Sequence, residues 1–271
     1  MIRRFLYVTL LGIFLSSCGS FASPLPPTAV PPIITATLVP SSTPQPATEE
    51  VIVPTNTATP TPNISRVLIV TFDGLRPDAI AEADMVNVMA LMQSGAYTLN
   101  AQTILPSSTL PSHASMLTGL CPSKHIVRWN EYVPENGYAR GTDIFDLAHG
   151  AGLQTAMVVG KEKLRQVTEP SSTDFFAFID ETDKIDDFTT VTRLAIEQVK
   201  VGFNLMFVHF PDGDLAGHDE GWMSRAQLKA YAKDDRSLGL ILQALKMCIR
   251  DRGGPVETAY GLFADFVNAV K

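Results

Sequence analysis

The sequence predicts an α/β fold with a mostly parallel sheet and helices on both of its faces. Apolar runs of strand length occur at residues 67–72, 154–159 and 204–209. Segments with helical spacing of apolar residues alternate with these runs. Such alternation favours a parallel sheet buried on both faces. In sheets of this kind, ligand sites lie beyond the carboxyl ends of the strands.

The predicted helices have end signals as well as periodicity. Residues 77–94 begin with a proline and are followed by a glycine, which is the usual arrangement at helix ends. A second helix is predicted over residues 189–199. A third follows Ser224 and Gln227, which match a capping box, and its apolar spacing continues to Lys246.

The first 18 residues predict export. Two arginines precede an apolar run that is too short to span a bilayer but suits a signal peptide. The run ends in Leu15-Ser16-Ser17-Cys18, which resembles the lipobox of bacterial lipoproteins. We therefore expect Cys18 to carry a lipid that anchors the protein to the bacterial cell envelope, outside the cytoplasm. An ordinary secretory peptide, cleaved at a nearby small residue, is the alternative.

Residues 19–62 predict a disordered tether. They contain most of the chain's 19 prolines, together with threonine, serine and alanine and almost no charge. Such a segment buries too little apolar surface to offset the entropy of ordering, and it favours extended conformations. The segment would hold a globular domain, residues 63–246, away from a membrane.

The globular part is acidic. The two arginines and two glutamates before residue 63 cancel, so the net charge of −7 belongs to the remainder of the chain. Nucleic-acid polymers are therefore not expected as partners. With 3 cysteines in total, the sequence indicates no disulfide framework.

Asp73 is a candidate metal ligand. It directly follows the first predicted strand and precedes Gly74, which permits close approach of the backbone. A lone aspartate at such a position is more often part of a turn or a helix cap, and this alternative stays open.

A second candidate ligand pair, Asp214 and His218, follows the third predicted strand. A carboxylate and an imidazole from one tight turn suit zinc or a similar divalent ion. The alternative is an acidic surface loop, because Asp212, Asp219 and Glu220 lie next to the pair.

Thr109 lies in a hydroxyl-rich turn, residues 106–113, that enters a predicted helix running toward Thr118. The free N–H groups and the positive dipole end of a helix start can bind a phosphate. Hydroxyl residues at this position usually act only as N-caps.

Together and in this order, the motifs resemble the type I phosphodiesterase and nucleotide pyrophosphatase family of the alkaline phosphatase superfamily. The resemblance extends over about residues 64–246. The motifs are Asp73-Gly74, then Thr109 to His113 followed by Thr118-Gly119-Leu120 and Pro122, and finally Asp214 to His218.

The resemblance implies an enzyme that hydrolyses phosphodiester or pyrophosphate bonds of small phosphate esters such as nucleotides. It also implies two divalent metal ions, with zinc as the expected metal. Thr109 would be the nucleophile and would share one ion with Asp73, while Asp214 and His218 would hold the other. Asn130 would steady a phosphoryl oxygen.

Two other functions remain open at this stage. A phosphomonoesterase or phosphonate hydrolase shares the same metal core, and a non-catalytic surface lipoprotein could keep the fold for binding. A formylglycine sulfatase is rejected, because residues 121–124 lack the spacing and the final arginine of that signature. Three other histidines are expected to be structural: His113, His125 and His209. Asp235 is expected to be either a partner of the site or a structural carboxylate.

The resemblance ends at Lys246. The family has further metal-binding histidines, but no histidine follows His218. Residues 247–252 resemble the translation of a sequencing adapter, which predicts that the reading is truncated or chimeric and that residues 247–271 are a non-native tail. A natural divergent tail is the alternative.

A missing C-terminal part of the fold would have three consequences. The chain would bind less than two equivalents of zinc and show little activity, because each ion would have two protein ligands, whereas catalytic zinc usually has three. The strand at residues 204–209 or its neighbours would be left as an uncovered edge. The tail itself shows helical spacing at Leu262, Phe263, Phe266, Val267 and Val270.

Overall fold

The computed structural model describes residues 64–179, 190–251 and 257–264. The predicted signal peptide, Cys18 and the predicted tether lie outside these ranges. Within the described part of the chain, no helix combines the length and the apolar character needed to cross a bilayer.

In the described residues, five strands form one sheet, and every neighbouring pair in it is parallel. The strands are β1 (Ile64–Phe72), β2 (Thr155–Val159), β3 (Phe175–Phe178), β4 (Leu205–Phe210) and β5 (Glu257–Ala264). Their order across the sheet is β3-β2-β4-β1-β5. The predicted parallel α/β class is therefore confirmed.

Helices connect the strands. The α-helices of the described residues are α1 (Ala79–Glu82), α2 (Val86–Ser94), α3 (Thr109–Thr118), α4 (Pro122–His125), α5 (Ile144–Gly150), α6 (Thr190–Val201), α7 (Asp212–Glu220) and α8 (Arg225–Asp251). Short 3₁₀ helices lie at Pro134–Asn136, Glu162–Val167 and Pro170–Ser172.

The side chains of β1 alternate between two hydrophobic cores, one on each face of the sheet. Leu68, Val70 and Phe72 belong to the core that also contains residues of α1, α2, α6 and α8. Ile69 belongs to the core that contains Leu110 of α3 and residues of α5. Helices therefore cover both faces, which is why the strands read as continuous apolar runs.

The predicted helix over residues 77–94 is wrong in one respect, because the chain turns at Asp84 and forms α1 and α2 instead. The φ of Asp84 is 50°, in the left-handed region that aspartate tolerates better than most residues. The turn buries Met85 in the core. Periodicity alone does not reveal such a break.

The C-terminal residues differ from their prediction. Helix α8 continues beyond Lys246 to Asp251, and residues 257–264 form β5 beside β1, not a helix. A short apolar run fits the periodicity of a helix or of a strand, so the spacing of apolar residues alone did not decide between the two. The predicted open edge is also wrong, since β4 lies inside the sheet between β2 and β1. Residues 252–256 and 265–271 lie outside the described residues, and the origin of the tail stays a prediction.

Asp235 joins α8 to the start of α2. Its carboxylate accepts hydrogen bonds from the backbone N–H of Asn87 at 3.0 Å and of Val88 at 2.9 Å. These are donors that the first turn of a helix leaves unpaired. The contacts favour the structural alternative for Asp235.

Replacing Asp235 tests this cap. Asp235→Ala leaves buried N–H groups of α2 without an acceptor and should lower the free energy of unfolding by about 2–3 kcal/mol. Arg236→Ala is the matched control, because Arg236 is the exposed neighbour on the same helix and should change stability by less than about 0.5 kcal/mol. Urea unfolding measures the stability of both variants. Equal losses of stability in the two variants would contradict the role of Asp235 as a cap.

Candidate active site

The carboxyl ends of β1, β2 and β4 lie side by side and bring three charged residues together. Asp73 directly follows β1, and its backbone N–H donates to the carbonyl of Phe210 at the end of β4 at 2.9 Å. Asp214 lies in the first turn of α7, shortly after β4, and Lys161 lies shortly after β2. The site thus forms at the sheet edge where ligand sites of parallel sheets are expected.

Two glycines allow the loop after β1 and the first turn of α7, after β4, to touch. Gly74 has a φ of 71°, and a Cβ there would lie 3.2 Å from Cα of Asp214 and 3.0 Å from the Trp222 ring. A Cβ on Gly213 would lie 1.9 Å from the Tyr231 ring. The Tyr231 hydroxyl donates to the carbonyl of Gly74 at 2.6 Å. Helix α8 therefore packs directly against both segments.

Thr109 is the first residue of α3 and faces Asp73. Its buried hydroxyl donates a hydrogen bond to Oδ2 of Asp73 at 3.2 Å. The next N–H of the helix, that of Leu110, donates to Oδ1 of Asn130 at 3.0 Å. Asn130 therefore fixes the start of α3 beside the hydroxyl.

Lys161 lies at the centre of the site, and sequence reasoning missed it. Its ammonium is 2.5 Å from Oδ2 of Asp73, contacts Oδ2 of Asp214 and lies 3.4 Å from Oγ1 of Thr109. The side chain is only 11% exposed. The available signal was its position after a buried strand and a glycine, the same feature that selected Asp73.

The charges of this cluster stabilise one another. Burial alone would raise the pKa of Asp73, but the Lys161 ammonium and a hydrogen bond from His209 hold it well below its ordinary value. Burial alone would lower the pKa of Lys161, but the Asp73 and Asp214 carboxylates raise it above its ordinary value. Asp73 and Lys161 are therefore charged at neutral pH.

His209 is a second residue whose position the sequence did not reveal. It lies inside β4, fully buried, with Nε2 3.3 Å from Oδ2 of Asp73. Burial lowers the pKa of His209 to about 4, although the hydrogen bond to Asp73 opposes the shift. The neutral ring therefore donates from Nε2, while its Nδ1 has no hydrogen-bond partner among the described residues.

The other two histidines that were expected to be structural are also buried. The ring of His113 donates from Nδ1 to the carbonyl of Thr109 at 2.7 Å, and its Nε2 lies 3.2 Å from the hydroxyl of Thr71. His125 lies 2.8 Å from the hydroxyl of Ser115. His113 thus links the end of β1 to the first residue of α3.

Asp214 and His218 lie on α7, so the predicted tight turn is wrong. The small residues Gly213 and Gly217 let this segment pack as a helix against Tyr231 and Trp222. The spacing of four residues places both side chains on one helix face, with Nε2 of His218 3.5 Å from Oδ1 of Asp214. The His218 side chain is 69% exposed and is therefore free to turn toward a ligand.

All the candidate residues line one cavity of about 650 Å³. Its walls also carry Lys163, whose pKa is lowered by burial and by the neighbouring Lys161 charge. The lining residues are Asp73, Ser107, Ser108, Thr109, Asn130, Glu131, Tyr132, Gly160, Lys161, Glu162, Lys163, Phe178, Asp214, Leu215, His218 and Trp222.

The donor set fits a divalent cation at the point where the Lys161 ammonium lies. Oxygens of Asp73, Thr109 and Asp214 already surround that positive charge, and such oxygens are suitable metal ligands. A second ion would have Asp214 and His218. Within residues 64–179 and 190–251, no group of three or more His, Cys, Asp or Glu residues is close enough to hold a metal.

The buried His209 predicts a pH dependence of stability without metal. Its pKa is about 4 in the folded chain against an ordinary 6.5, so the unfolded chain binds more protons between these values. Stability should therefore fall as the pH is lowered through this window, by about 1.4 kcal/mol per pH unit from this residue. Asp73, with its lowered pKa, adds a loss only below its ordinary value of 3.8.

Urea unfolding in the presence of a chelator measures how the free energy of unfolding changes with pH. The range from pH 7 to pH 4.5 spans roughly this window. His209→Gln keeps an N–H donor toward Asp73 but does not titrate, so its slope should be smaller. His149→Gln removes an exposed imidazole of α5 and is the matched control, so its slope should change less than that of His209→Gln. An unchanged slope in His209→Gln would show that His209 is not the titrating group.

Solved structures with a similar fold include a nucleotide pyrophosphatase/phosphodiesterase, a phosphonoacetate hydrolase and a 2-O glycosaminoglycan sulfatase. Murine ectonucleotide pyrophosphatase/phosphodiesterase 5 gives a TM-score of 0.56 at 19% identity, over 73% of this chain and 56% of that chain. A threonine-to-alanine variant of that protein, described as inactive, is a complex with AMP. Phosphonoacetate hydrolase of Sinorhizobium meliloti gives a TM-score of 0.50 at 18% identity, over 68% of this chain and 54% of that chain. At these identities the similarity shows the fold alone.

Sequence comparison identifies the family. The bis(5′-adenosyl)-triphosphatase enpp4 of Xenopus laevis is 21% identical over 212 residues, which are 71% of this chain and 44% of that protein. The chain thus spans less than two thirds of the length of these relatives. The model of the type I phosphodiesterase/nucleotide pyrophosphatase family matches residues 67–252, and the chain belongs to this family.

Proposed function

We propose that this protein hydrolyses phosphodiester or pyrophosphate bonds of small phosphate esters such as nucleotides, with Thr109 as the nucleophile. The proposal rests on one observation. The Thr109 hydroxyl and the carboxylates of Asp73 and Asp214 all contact the Lys161 ammonium. Family membership supports the reaction class. The triphosphatase relative and the AMP complex of the murine protein support a nucleotide as substrate.

The residues of the site suit an in-line displacement at phosphorus. Oγ1 of Thr109 would form a bond to phosphorus while the bond to the leaving oxygen breaks, and water would then cleave the phosphoryl-threonine ester. Thr109 lies at the N-terminus of α3, where the helix dipole stabilises a phosphoryl group. Asn130 holds this helix start in place, and its amide N–H₂ group is the donor proposed for a phosphoryl oxygen.

Metal dependence is part of the proposal. Asp73 and Thr109 would hold one divalent ion, and Asp214 and His218 the other, with zinc favoured by the oxygen and imidazole donors. Bound ions would lower the pKa of the threonine hydroxyl and neutralise phosphoryl oxygens. Asp73 already accepts the hydrogen of that hydroxyl and directs Oγ1 toward the cavity.

We also propose that the protein acts outside the cytoplasm, tethered through a lipid on Cys18. The sequence of residues 1–62 supports this location, because it predicts a signal peptide, resembles a lipobox at Cys18 and predicts a tether after it. Metabolic labelling with a radioactive fatty acid tests it: the native chain should be labelled and Cys18→Ala should not. Labelling of both proteins would remove Cys18 as the anchor.

Replacing the nucleophile tests the reaction. In the full-length protein, Thr109→Ala should lower kcat for a bis-aryl phosphate by about three orders of magnitude or more, because no covalent intermediate can form. Thr109→Ser keeps a hydroxyl and should retain much more activity. Ser108→Ala is the control, since Ser108 lines the same cavity but makes no cap hydrogen bond to α3.

Substrate choice separates the alternatives in the same assay. A preference for the bis-aryl over the mono-aryl phosphate supports a diesterase, and the reverse preference indicates a phosphomonoesterase. Near-normal turnover by Thr109→Ala would remove Thr109 from the mechanism. Lack of activity toward every ester in zinc, by a protein that includes the C-terminal half of the family's fold, would favour the non-catalytic lipoprotein.

A further inference from the structure

The carboxylate pair already contains a cation that belongs to the chain. The Lys161 ammonium lies 2.5 Å from Oδ2 of Asp73 and contacts Oδ2 of Asp214. It is also within 3.4 Å of Oγ1 of Thr109. These three oxygens are ligands in the proposed metal site, those of Asp73 and Thr109 for one ion and that of Asp214 for the other.

The ammonium balances only part of the negative charge. Asp73 and Asp214 are both buried, and the carboxylate of each would lack a counter-charge if Lys161 were absent. A divalent ion would supply twice the positive charge to the same oxygens. An ammonium and a metal ion cannot share these oxygens at bonding distance, because like charges so close together repel strongly.

We propose that Lys161 is a resident counter-cation of the metal site, which holds the two carboxylates together before metal binds and leaves them when a divalent ion enters. This inference rests on the proposed metal-dependent function. The Lys161 contacts lower the affinity of the native site for metal below that of the same donors without Lys161, because metal binding must break these contacts. The protein thereby stays folded when metal is scarce, with the negative charge of the two carboxylates partly balanced.

The surroundings of Lys161 permit such a movement. Its long flexible stem lines the open cavity of about 650 Å³, so the ammonium can reach solvent without a change in the backbone. Lys163 lines the same cavity, but its ammonium pairs with Glu131 at 4.0 Å and not with either buried carboxylate. Lys163 is therefore a matched control for a nearby positive charge.

Zinc affinity is the first test. Chelator competition on the full chain should show that Lys161→Met binds zinc at least about tenfold more tightly than the native chain, because no ammonium has to be displaced. Lys163→Met should change the affinity much less. Without metal, Lys161→Met should melt at a lower temperature than the native chain, and zinc should restore much of the difference.

A second measurement needs no variant, so it remains decisive if Lys161→Met does not fold. Lysine acetylation followed by mass spectrometry should modify Lys161 of the native chain slowly without metal and faster in zinc, while the rate at Lys163 stays nearly constant. Equal or weaker zinc binding by a folded Lys161→Met, or acetylation of Lys161 that zinc does not accelerate, would overturn the proposal while leaving metal dependence intact. Failure of the native chain and both variants to bind zinc would overturn the metal-dependent function as well.

Discussion

Two buried carboxylates that share one positive charge are the constraint on which the site depends. Asp73 and Asp214 come from different strand ends, and their mutual repulsion would separate them without a cation between them. The glycines at positions 74 and 213 and the hydroxyl of Tyr231 hold the two segments at contact distance. Much of the local architecture therefore serves to keep like charges close together.

The parallel sheet brings the charged side chains of the site together. Strands β2, β4 and β1 are neighbours, so three consecutive strand ends deliver Lys161, Asp214 and Asp73 to one point. Helix α3 adds Thr109 from the face opposite α8. A similar fold occurs in a nucleotide pyrophosphatase/phosphodiesterase, a phosphonoacetate hydrolase and a sulfatase, so substrate choice has to be sought in the cavity wall and not in the fold.

The sequence predicted the strands that are buried on both faces, because continuous apolar runs have few alternatives in a chain of this composition. It missed β3, which is four residues long and half-buried, and it read β5 as helical. In the site, Asp73, Thr109 and Asp214 were selected by their positions at element ends, and the structure brings them together. Lys161 was missed although it follows a buried strand, because a lysine is not a usual metal ligand, and His209 was expected only to be structural. Their roles arise only from neighbours across the sheet.

The position of a bound metal would show whether it replaces the Lys161 ammonium between Asp73 and Asp214. Anomalous diffraction at the zinc absorption edge, from crystals of the protein grown with zinc, locates the ion independently of any assumption about ligands. The account predicts a zinc peak within about 2.0–2.2 Å of carboxylate oxygens of Asp73 or Asp214, with the Lys161 ammonium moved away from them. A peak remote from these carboxylates, or well-ordered density that keeps Lys161 between them at saturating zinc, would contradict the account.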